Sequence, residues 1–413
     1  MPSHHTVASL SGSPNSLVPH YGRFRVQDRL LLTGHSHQAW PDCAERGQAA
    51  AWEDAAMFVD DKWERAFEQA EVVRKGWARL LGDDDGAIAL GASTHDLLVR
   101  LLSALPLRQR PRIVTTDGEF HSLRRQLDRL EEEGIEVVRL PSEEPDLVAE
   151  RVVAALRRDA KRTAAVMMSS VLFSSARIVP GLGTVARACE EEGVPFVVDA
   201  YHHLNVVPMC LRTAGLERAF VVGGGYKYCQ LGEGNGFLRI PRDCNLRPVV
   251  TGWFSEFSLL AADRAAAQVA YGKGPDRFAG ATYDPTCHYR AAEVFAFFVR
   301  EGLEPNLLRD VSQHHVGHLA AGFDALDLDP KVIRRDRAAS LPSLAGFLAL
   351  VSPRAGEIRA ELRNRGVMTD SRAEVLRLGP APYLSDAQLD DAIGILGEVV
   401  RDLCQEGVIV RAT

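Results

Sequence analysis

The feature that most constrains the fold is a regular alternation of strand-like and helix-like segments over residues 97–222. Short apolar runs predict strands at Arg112–Thr116, Ile135–Leu140, Ala164–Met168, Phe196–Asp199 and Phe220–Val222. Helical periodicity falls between them, at Leu97–Leu105, Leu123–Glu133, Asp146–Asp159 and Gly183–Glu192. Such alternation predicts an α/β fold, with a mostly parallel sheet between two layers of helices. Ligands of these sheets bind beyond the carboxyl ends of the strands.

Changes in composition and in secondary-structure pattern along the chain predict three parts. Residues 1–45 form an N-terminal arm, whose first 30 residues are rich in Ser, Pro, His and Arg. Residues 46–285 form the large domain, which begins with a helical region that extends to Leu81. After about Arg290 long helices follow, with a short strand pair at Val367–Met368 and Val375–Leu378. Residues 286–413 are therefore predicted to be a smaller α+β C-terminal domain.

The composition and net charge indicate which kinds of molecule this protein is suited to bind. The 413 residues are 46% hydrophobic with a net charge of −7, which suits a large core and disfavours nucleic acid or an anionic membrane as partner. No apolar run approaches the roughly 18 residues that cross a bilayer, and the polar start lacks a signal core. The seven cysteines include no CxxC pair. We expect free thiols, a cytoplasmic location and a small-molecule substrate.

The chemistry is concentrated between Val197 and Gly236. One predicted strand ends at Asp199, and the next leads into Gly223–Gly225 and then Lys227. A lysine at a strand end can be desolvated, which lowers its pKa and makes the amine a nucleophile that forms a Schiff base with an aldehyde. Pyridoxal phosphate is such an aldehyde, and it needs a carboxylate near its ring nitrogen. Asp199 and Lys227 on successive strands predict a pyridoxal phosphate site.

Two motifs carry a family resemblance. Asp199-Ala200-Tyr201-His202 and Tyr226-Lys227-Tyr228 resemble segments of the kynureninases and their class V aminotransferase relatives, which are fold type I pyridoxal phosphate enzymes. The resemblance extends from about Leu31 to about Leu378. It implies that Lys227 is the Schiff-base lysine, that Asp199 pairs with the ring nitrogen, that His202 lies beside the ring and that Tyr226 binds the phosphate. Lys227, Asp199 and His202 are the implied catalytic residues.

The resemblance extends to four further cofactor contacts. Ser93 and Thr94 precede the leucine-rich helix and would bind the phosphate at its N-terminus, although a simple helix cap needs the same residues. Phe120 would stack on the cofactor ring, with core packing as the alternative. Ser169 would place a hydroxyl near the cofactor.

Three other residues are implied to act at the edges of the site. Trp253 and Thr282 match pieces that reach the phosphate across a dimer interface, which implies a homodimer with composite sites. The alternative for Trp253 is an ordinary buried aromatic. Arg372 matches the arginine that binds the substrate α-carboxylate, for which a planar guanidinium is suited.

Departures from the kynureninase pattern fall where the substrate binds. An aromatic-Arg-Thr-Gly run is replaced by Phe173-Ser174-Ser175-Ala176, a Pro-x-Asp turn by His121-Ser122-Leu123, and a Gly-His pair by Ser255-Glu256. The expected reaction is hydrolytic Cβ–Cγ cleavage of kynurenine or a related β-acyl amino acid. The identity of the substrate side chain stays open.

Other functions remain as alternatives. Transamination, β-elimination or racemisation would use the same cofactor, and the chain could also bind it without turnover. Cysteine desulfurases need a mobile cysteine in the C-terminal third, but none lies between Cys287 and Cys404. A nucleotide-binding α/β protein ranks low, because Gly223–Gly225 leads into Tyr-Lys and no G-x-G-x-x-G opens a helix.

One histidine cluster raises the question of a metal. His314, His315 and His318 lie on a predicted helix, where an i, i+4 pair can bind zinc. No glutamate lies between them as in H-E-x-x-H, and no third ligand is evident. We predict a solvated helical face and no metal site.

Overall fold

A computed structural model describes residues 5–83, 87–259 and 269–411. The strands are β1 (Leu30–Leu31), β2 (Ala87–Gly91), β3 (Arg112–Thr116), β4 (Glu136–Leu140), β5 (Thr163–Ser169), β6 (Phe196–Asp199), β7 (Phe220–Gly224), β8 (Gly236–Ile240), β9 (Arg334–Arg335), β10 (Leu348–Val351), β11 (Val367–Met368), β12 (Asp370–Arg372) and β13 (Val375–Leu378). The α-helices are α1 (Val7–Ser11), α2 (Cys43–Phe58), α3 (Lys62–Leu80), α4 (Thr94–Ala104), α5 (His121–Glu132), α6 (Pro145–Arg158), α7 (Leu182–Glu191), α8 (Thr286–Arg300), α9 (Pro305–Ala325), α10 (Ala355–Asn364) and α11 (Asp386–Arg411).

A seven-stranded sheet forms the centre of the fold, in the order β2-β8-β7-β6-β5-β3-β4. β8 is antiparallel to both of its neighbours, and the other adjacent pairs are parallel. The predicted α/β fold with a mostly parallel sheet is therefore confirmed. The sequence did not indicate β2 or β8. Both are only five residues long, so their strand character depends on pairing with their neighbours in the sheet.

The register of the central strands brings their carboxyl ends to one level. Ser169 at the end of β5 is opposite Asp199 at the end of β6, and Asp199 is opposite Val222 on β7. All seven residues of β5 are buried, as expected for a central strand with helices on both faces. Side chains that follow these three strands consequently converge on one edge of the sheet.

Helix α4 packs against the central sheet, and its local sequence explains where it begins and which face it buries. It begins at Thr94, because the Ser93 hydroxyl accepts a hydrogen bond from the backbone N–H of Asp96 at 3.2 Å. Its buried side is the predicted leucine stripe: Leu97, Leu98, Leu101 and Leu102. These leucines pack against the sheet, and truncating one to Ala would cost about 2–5 kcal/mol of stability.

The chain beyond the central sheet forms a second sheet, with strand order β12-β13-β10-β9 and all pairs antiparallel. The predicted pairing of Val367–Met368 with Val375–Leu378 is wrong. β11 instead pairs in parallel with β1 of the N-terminal arm, whereas β13 lies between β10 and β12. The local sequence could not show this, since the partner strand lies more than 300 residues away.

The arm is packed into the molecule. The Asn15 side chain donates a hydrogen bond to the carbonyl of Pro382 at 2.9 Å, and the buried Tyr21 hydroxyl bonds to Gln230. The predicted helical region up to Leu81 is two helices, α2 and α3. Val59, directly after α2, has a φ of 50°, which breaks the helix.

The described residues include no helix that is long and apolar enough to cross a membrane. All seven cysteines lie in the described part of the chain, and all are free. The two predicted boundaries between the three parts of the chain, at 45/46 and 285/286, stay predictions.

Candidate active site

Lys227 lies just beyond β7 and is buried, with 4% of its surface exposed. Its Nζ is 2.7 Å from Nε2 of His202. Burial is the main cause that lowers the pKa of Lys227 to about 7, and the nearby Asp199 carboxylate opposes this shift. An amine with this pKa is substantially neutral at physiological pH, so it can act as a nucleophile or a base.

The glycines before Lys227 allow its surroundings to pack closely. A Cβ on Gly223 would lie 2.7 Å from the Phe237 ring, and one on Gly225 would lie 2.6 Å from the Leu231 side chain. A Cβ on Gly224 would collide with the ring of Tyr201. The glycine run therefore fits a strand end that is covered on all sides.

Asp199 ends β6 and is buried beside this lysine. Its Oδ1 accepts a hydrogen bond from the backbone N–H of Tyr201 at 2.9 Å. Burial raises the pKa of Asp199, and the Tyr201 N–H and the Lys227 charge oppose the rise. A protonated ring nitrogen facing this carboxylate would favour its ionised form.

His202 is neutral in its buried position. Burial and the Lys227 charge hold the pKa of His202 well below its usual range. Its Nε2 faces Lys227, while its Nδ1 is buried without a hydrogen-bond partner in the described structure. The Lys227 Nζ also lies 4.9 Å from the centre of the Phe120 ring and 4.6 Å from that of Tyr201. The predicted Lys227, Asp199, His202 and Phe120 thus lie close together around the amine, in a buried site that we call the lysine pocket.

Ser169 reaches this pocket through a residue that the sequence did not indicate, Glu119. The Ser169 hydroxyl donates to Oε2 of Glu119 at 2.7 Å, and the Thr116 hydroxyl donates to Oε1 at 2.6 Å. Burial raises the pKa of Glu119 to about 7, with a smaller contribution from Asp199. In the sequence, Glu119 looks like any polar residue in the turn after a strand. Only its burial in the folded protein distinguishes it.

Ser93 and Thr94, the two residues at the start of α4 that are predicted to bind the phosphate, both form hydrogen bonds within the chain. The Thr94 hydroxyl donates to the carbonyl of Gly223 at 2.8 Å, and Ser93 caps the helix. These bonds join the helix N-terminus to the strand that leads to Lys227. The Ser93 hydroxyl thus confirms the helix cap. Phosphate binding by the backbone N–H groups at this helix start stays a prediction.

Tyr226 is a neighbour of the amine. Its ring centre is 5.8 Å from the Lys227 Nζ, and its ring stacks on His37 at 4.6 Å between centroids. Burial raises the pKa of Tyr226, so its hydroxyl is a hydrogen-bond donor over the physiological pH range.

Two arginines approach the pocket from the second sheet. Arg372, which the sequence indicated, has a guanidinium with 44% exposure that donates to Asp370 at 2.7 Å. The sequence did not indicate Arg377, which is buried and forms an ion pair with Asp370. Its guanidinium also donates a hydrogen bond to the carbonyl of Phe173 at 2.8 Å. The charges of both arginines help to lower the pKa of Lys227.

His35 of the N-terminal arm is a third residue near the site that the sequence did not indicate, after Glu119 and Arg377. It is fully buried, its ring packs on Phe347 at 4.8 Å, and the Lys227 and Arg377 charges help to lower its pKa. Neither of its ring nitrogens makes a hydrogen bond within the described part of the chain. Nothing in the local sequence of the arm distinguishes this histidine.

Trp253 and Thr282 lie apart from the lysine pocket. Thr282 lines a cavity of about 820 Å³, bounded by the end of β2, by Arg100 on α4 and by the 280–284 segment. Lys227 is not among the lining residues. Trp253 is 43% exposed and contacts Phe254 and Phe257. The alternative prediction, that Trp253 is an ordinary buried aromatic, is therefore wrong.

No family model matches this chain. It is 24% identical over 370 residues to the uncharacterized aminotransferase YcbU of Bacillus subtilis, which covers 89% of this chain and 94% of that protein. It is 29% identical over 191 residues to isopenicillin N epimerase of Streptomyces clavuligerus, which covers 44% of this chain and 46% of the epimerase.

Solved structures resemble it over nearly its whole length. The cystine C–S lyase C-DES, captured with glycine covalently linked to its pyridoxal phosphate cofactor, has a TM-score of 0.79 at 16% identity and covers 92% of this chain and 98% of the lyase. An apo cysteine desulfurase of Thermococcus onnurineus has a TM-score of 0.78 at 17% identity and covers 97% of this chain and 100% of the desulfurase.

Fold and site together define the class. The chain has the fold of the fold type I pyridoxal phosphate enzymes, as predicted. The relatives' names support the class V aminotransferase group within that fold. Kynureninase is not among the activities that these names carry, so that finer assignment stays a prediction.

Proposed function

We propose that this protein is a pyridoxal phosphate-dependent enzyme that acts on an amino acid. The observation that carries the proposal is the buried Lys227 amine, whose pKa of about 7 suits Schiff-base formation. The donor set around it fits the cofactor, with a buried carboxylate at Asp199, an aromatic face at Phe120 and a helix N-terminus at Thr94. The unpartnered His202 Nδ1 is a further polar atom that a bound group would satisfy.

The bound cofactor supplies an electron sink for negative charge at the substrate α-carbon. Within this chain, Asp199 would balance the charge of the ring nitrogen, and Phe120 would cover one face of the ring. The Lys227 amine would remove the α-proton of the substrate and return a proton, as general base and acid. Arg372 would bind the α-carboxylate with its exposed guanidinium.

The specific reaction we propose is kynureninase-like hydrolysis of a Cβ–Cγ bond in a β-acyl amino acid. It is supported by the two motifs around Asp199 and Lys227, which lie in one pocket. The competing reactions on the same cofactor are transamination, racemisation or epimerisation, and β-elimination. The aminotransferase and epimerase names of the relatives favour the first two of these.

We further propose that the protein acts as a homodimer with composite sites. The segment that carries Trp253 exposes a run of apolar side chains on the described surface: Val249, Val250, Trp253, Phe257 and Leu259. A contiguous exposed apolar patch is typical of a protein–protein interface. The neighbouring Thr282 faces a cavity that also reaches the end of β2, directly before the predicted phosphate residues.

The cofactor test is direct. The purified protein is incubated with pyridoxal phosphate, reduced with borohydride and digested, and the peptides are mapped by mass spectrometry. We expect a pyridoxyl group on Lys227, its loss in Lys227→Ala, and its retention in the control Lys331→Ala, an exposed lysine. Labelling of many lysines to equal extent, with no change in Lys227→Ala, would refute the proposal.

The reaction test uses a panel of amino acids with the loaded enzyme. Kynureninase-like cleavage predicts alanine and an aryl acid from kynurenine or 3-hydroxykynurenine without any keto acid. Transamination would require a keto-acid acceptor, racemisation would change only the chirality, and β-elimination would release the β-substituent with ammonia. Turnover by one of these alternative routes, with kynurenines inert, would overturn the specific reaction. Absence of turnover across the panel would favour a non-catalytic binder.

A further inference from the structure

A cluster of two histidines and two aspartates lies between α9 and α11, away from the lysine pocket. His314 Nε2 is 2.9 Å from both carboxylate oxygens of Asp386. His318 Nε2, one turn further along α9, is 2.7 Å from Oδ1 of Asp390, one turn further along α11. Each helix thus contributes an i, i+4 pair, and the two pairs face each other.

We propose that this cluster is a binding site for a divalent transition metal ion, with His314, His318 and Asp386 as ligands. The ligand atoms of these three residues all lie within 4.8 Å of one another. Ligand atoms on a tetrahedral zinc ion are about 3.3 Å apart, given bonds of about 2.0 Å. Because the three side chains are partly exposed, at 28–36%, small rotations would close that difference without moving either helix.

The chemistry of the ligands selects the class of metal. Two imidazole nitrogens with carboxylate oxygens suit zinc, nickel, copper or cobalt, whereas calcium and magnesium prefer oxygen ligands alone. Two neutral imidazoles and two carboxylates would balance the double charge of the ion. Asp390 can act as the fourth ligand or accept a hydrogen bond from a bound water.

The sequence alone argued against this site, because no third ligand was evident near the histidines. The structure supplies carboxylates from a helix that begins 61 residues beyond α9. His315, between the two ligands, is buried and lines a small cavity with Asn205 and Tyr228, so it takes no part in the cluster. The predicted solvated face is therefore wrong for His315, and it is only partly right for its neighbours, which are 36% and 28% exposed and each bonded to a carboxylate.

A metal here would clamp α11 to α9. Helices α9 and α11 pack against each other, and α11 is the C-terminal helix. A ligand that binds only the folded state stabilises that state in proportion to the logarithm of its concentration over its Kd. The site would therefore hold the C-terminal helix in place, independently of the chemistry at Lys227.

The test measures zinc binding to the full-length, cofactor-loaded protein after chelator treatment and dialysis. Titration calorimetry with zinc chloride is expected to show one site per chain, and zinc should raise the Tm by a few degrees. Cobalt chloride should give the intense visible absorption of a four-coordinate site, which zinc then removes. Failure of the wild-type protein to retain zinc against dialysis would overturn the proposal.

Variants locate the bound ion. His314→Gln, His318→Gln and Asp386→Asn should each weaken zinc binding by at least about tenfold, the least that loss of even a supporting partner of a metal ligand costs. Asp391→Asn, an exposed carboxylate next to Asp390 on the same helix, is the matched control and should bind zinc like wild type. Circular dichroism checks that each variant is folded, and the three separate ligand variants guard against failure of one. Unchanged zinc affinity in all three would place the ion elsewhere and overturn the site.

Discussion

The Lys227 amine and the His202 imidazole form the central contact of the candidate site, with Nζ 2.7 Å from Nε2. Both groups are buried, and burial lowers the pKa of each. The two bases can therefore lie side by side without a charge repulsion, since each is stable in its neutral form. This contact links the strand ends of β6 and β7, which the sheet register holds together.

The first prediction concerns the pH dependence of cofactor attachment. Because the folded pKa of Lys227 is lowered from 10.5 to about 7, its amine is protonated below pH 7 and neutral above it. The rate of Schiff-base formation by the apoprotein should rise with pH and level off above about 7, as stopped-flow absorbance can measure. A midpoint near the ordinary lysine pKa would contradict the desolvated amine.

The second prediction concerns Glu119. Its folded pKa is raised from 4.5 to about 7, so the folded state holds a proton that the unfolded chain releases. The stability that this provides is present at low pH and is lost as the pH rises from 4.5 to about 7. Glu119→Gln should remove that part of the pH dependence, measured by urea unfolding at several pH values.

Glu119→Ala is the harsher change at the same position. It leaves the buried Ser169 and Thr116 hydroxyls without their acceptor, which should cost about 1–3 kcal/mol of unfolding free energy. The variant should therefore be less stable than Glu119→Gln. Equal stability of the two variants would mean that the carboxylate does not hold these hydroxyls.

The third prediction separates the two arginines. Arg372→Gln should raise KM by about tenfold or more with little change in stability, because its guanidinium is half exposed and a charged hydrogen bond to substrate contributes about 1.5–3 kcal/mol. Arg377→Gln should lower the unfolding free energy by about 3 kcal/mol, because it breaks a buried ion pair with Asp370. A normal KM in Arg372→Gln, with a raised KM in a folded Arg377→Gln, would reassign the carboxylate to Arg377.

The fourth prediction concerns the homodimer. Trp253→Asp with Phe257→Asp should convert a dimer into a monomer in analytical ultracentrifugation, because both changes put charge into the exposed apolar patch. Val299→Asp, an exposed apolar position on α8, is the matched control. A wild-type monomer, or dissociation by the control to the same extent, would refute this interface.

The fifth prediction tests composite sites by mixing subunits. Thr282→Ala should bind the cofactor weakly, and Lys227→Ala should not be labelled after reduction. In a mixed dimer with composite sites, one site carries both changes and the other carries neither, so labelling at low cofactor concentration should recover in that site. If Thr282 served only its own subunit, no site would be intact and labelling would not recover.

Local pattern was enough to predict the scaffold and the centre of the site. Strands such as Arg112–Thr116 and Phe196–Asp199 have the bounds that the sequence indicated, because a buried strand is defined by its own apolar run. The placement of Lys227 and Asp199 in one pocket also followed, since parallel strands that are neighbours end at one edge.

What the tertiary structure alone decided is which distant residues meet. His35 and Arg377 lie near the Lys227 amine, and Glu119 lies near Asp199. The three residues come from separate regions of the chain, and each is ordinary in its local sequence. The His314–Asp386 contact likewise needs α11 to pack on α9. The physical reason is that periodicity encodes hydrogen bonding and burial within one element, whereas burial of a charged group depends on every element packed around it.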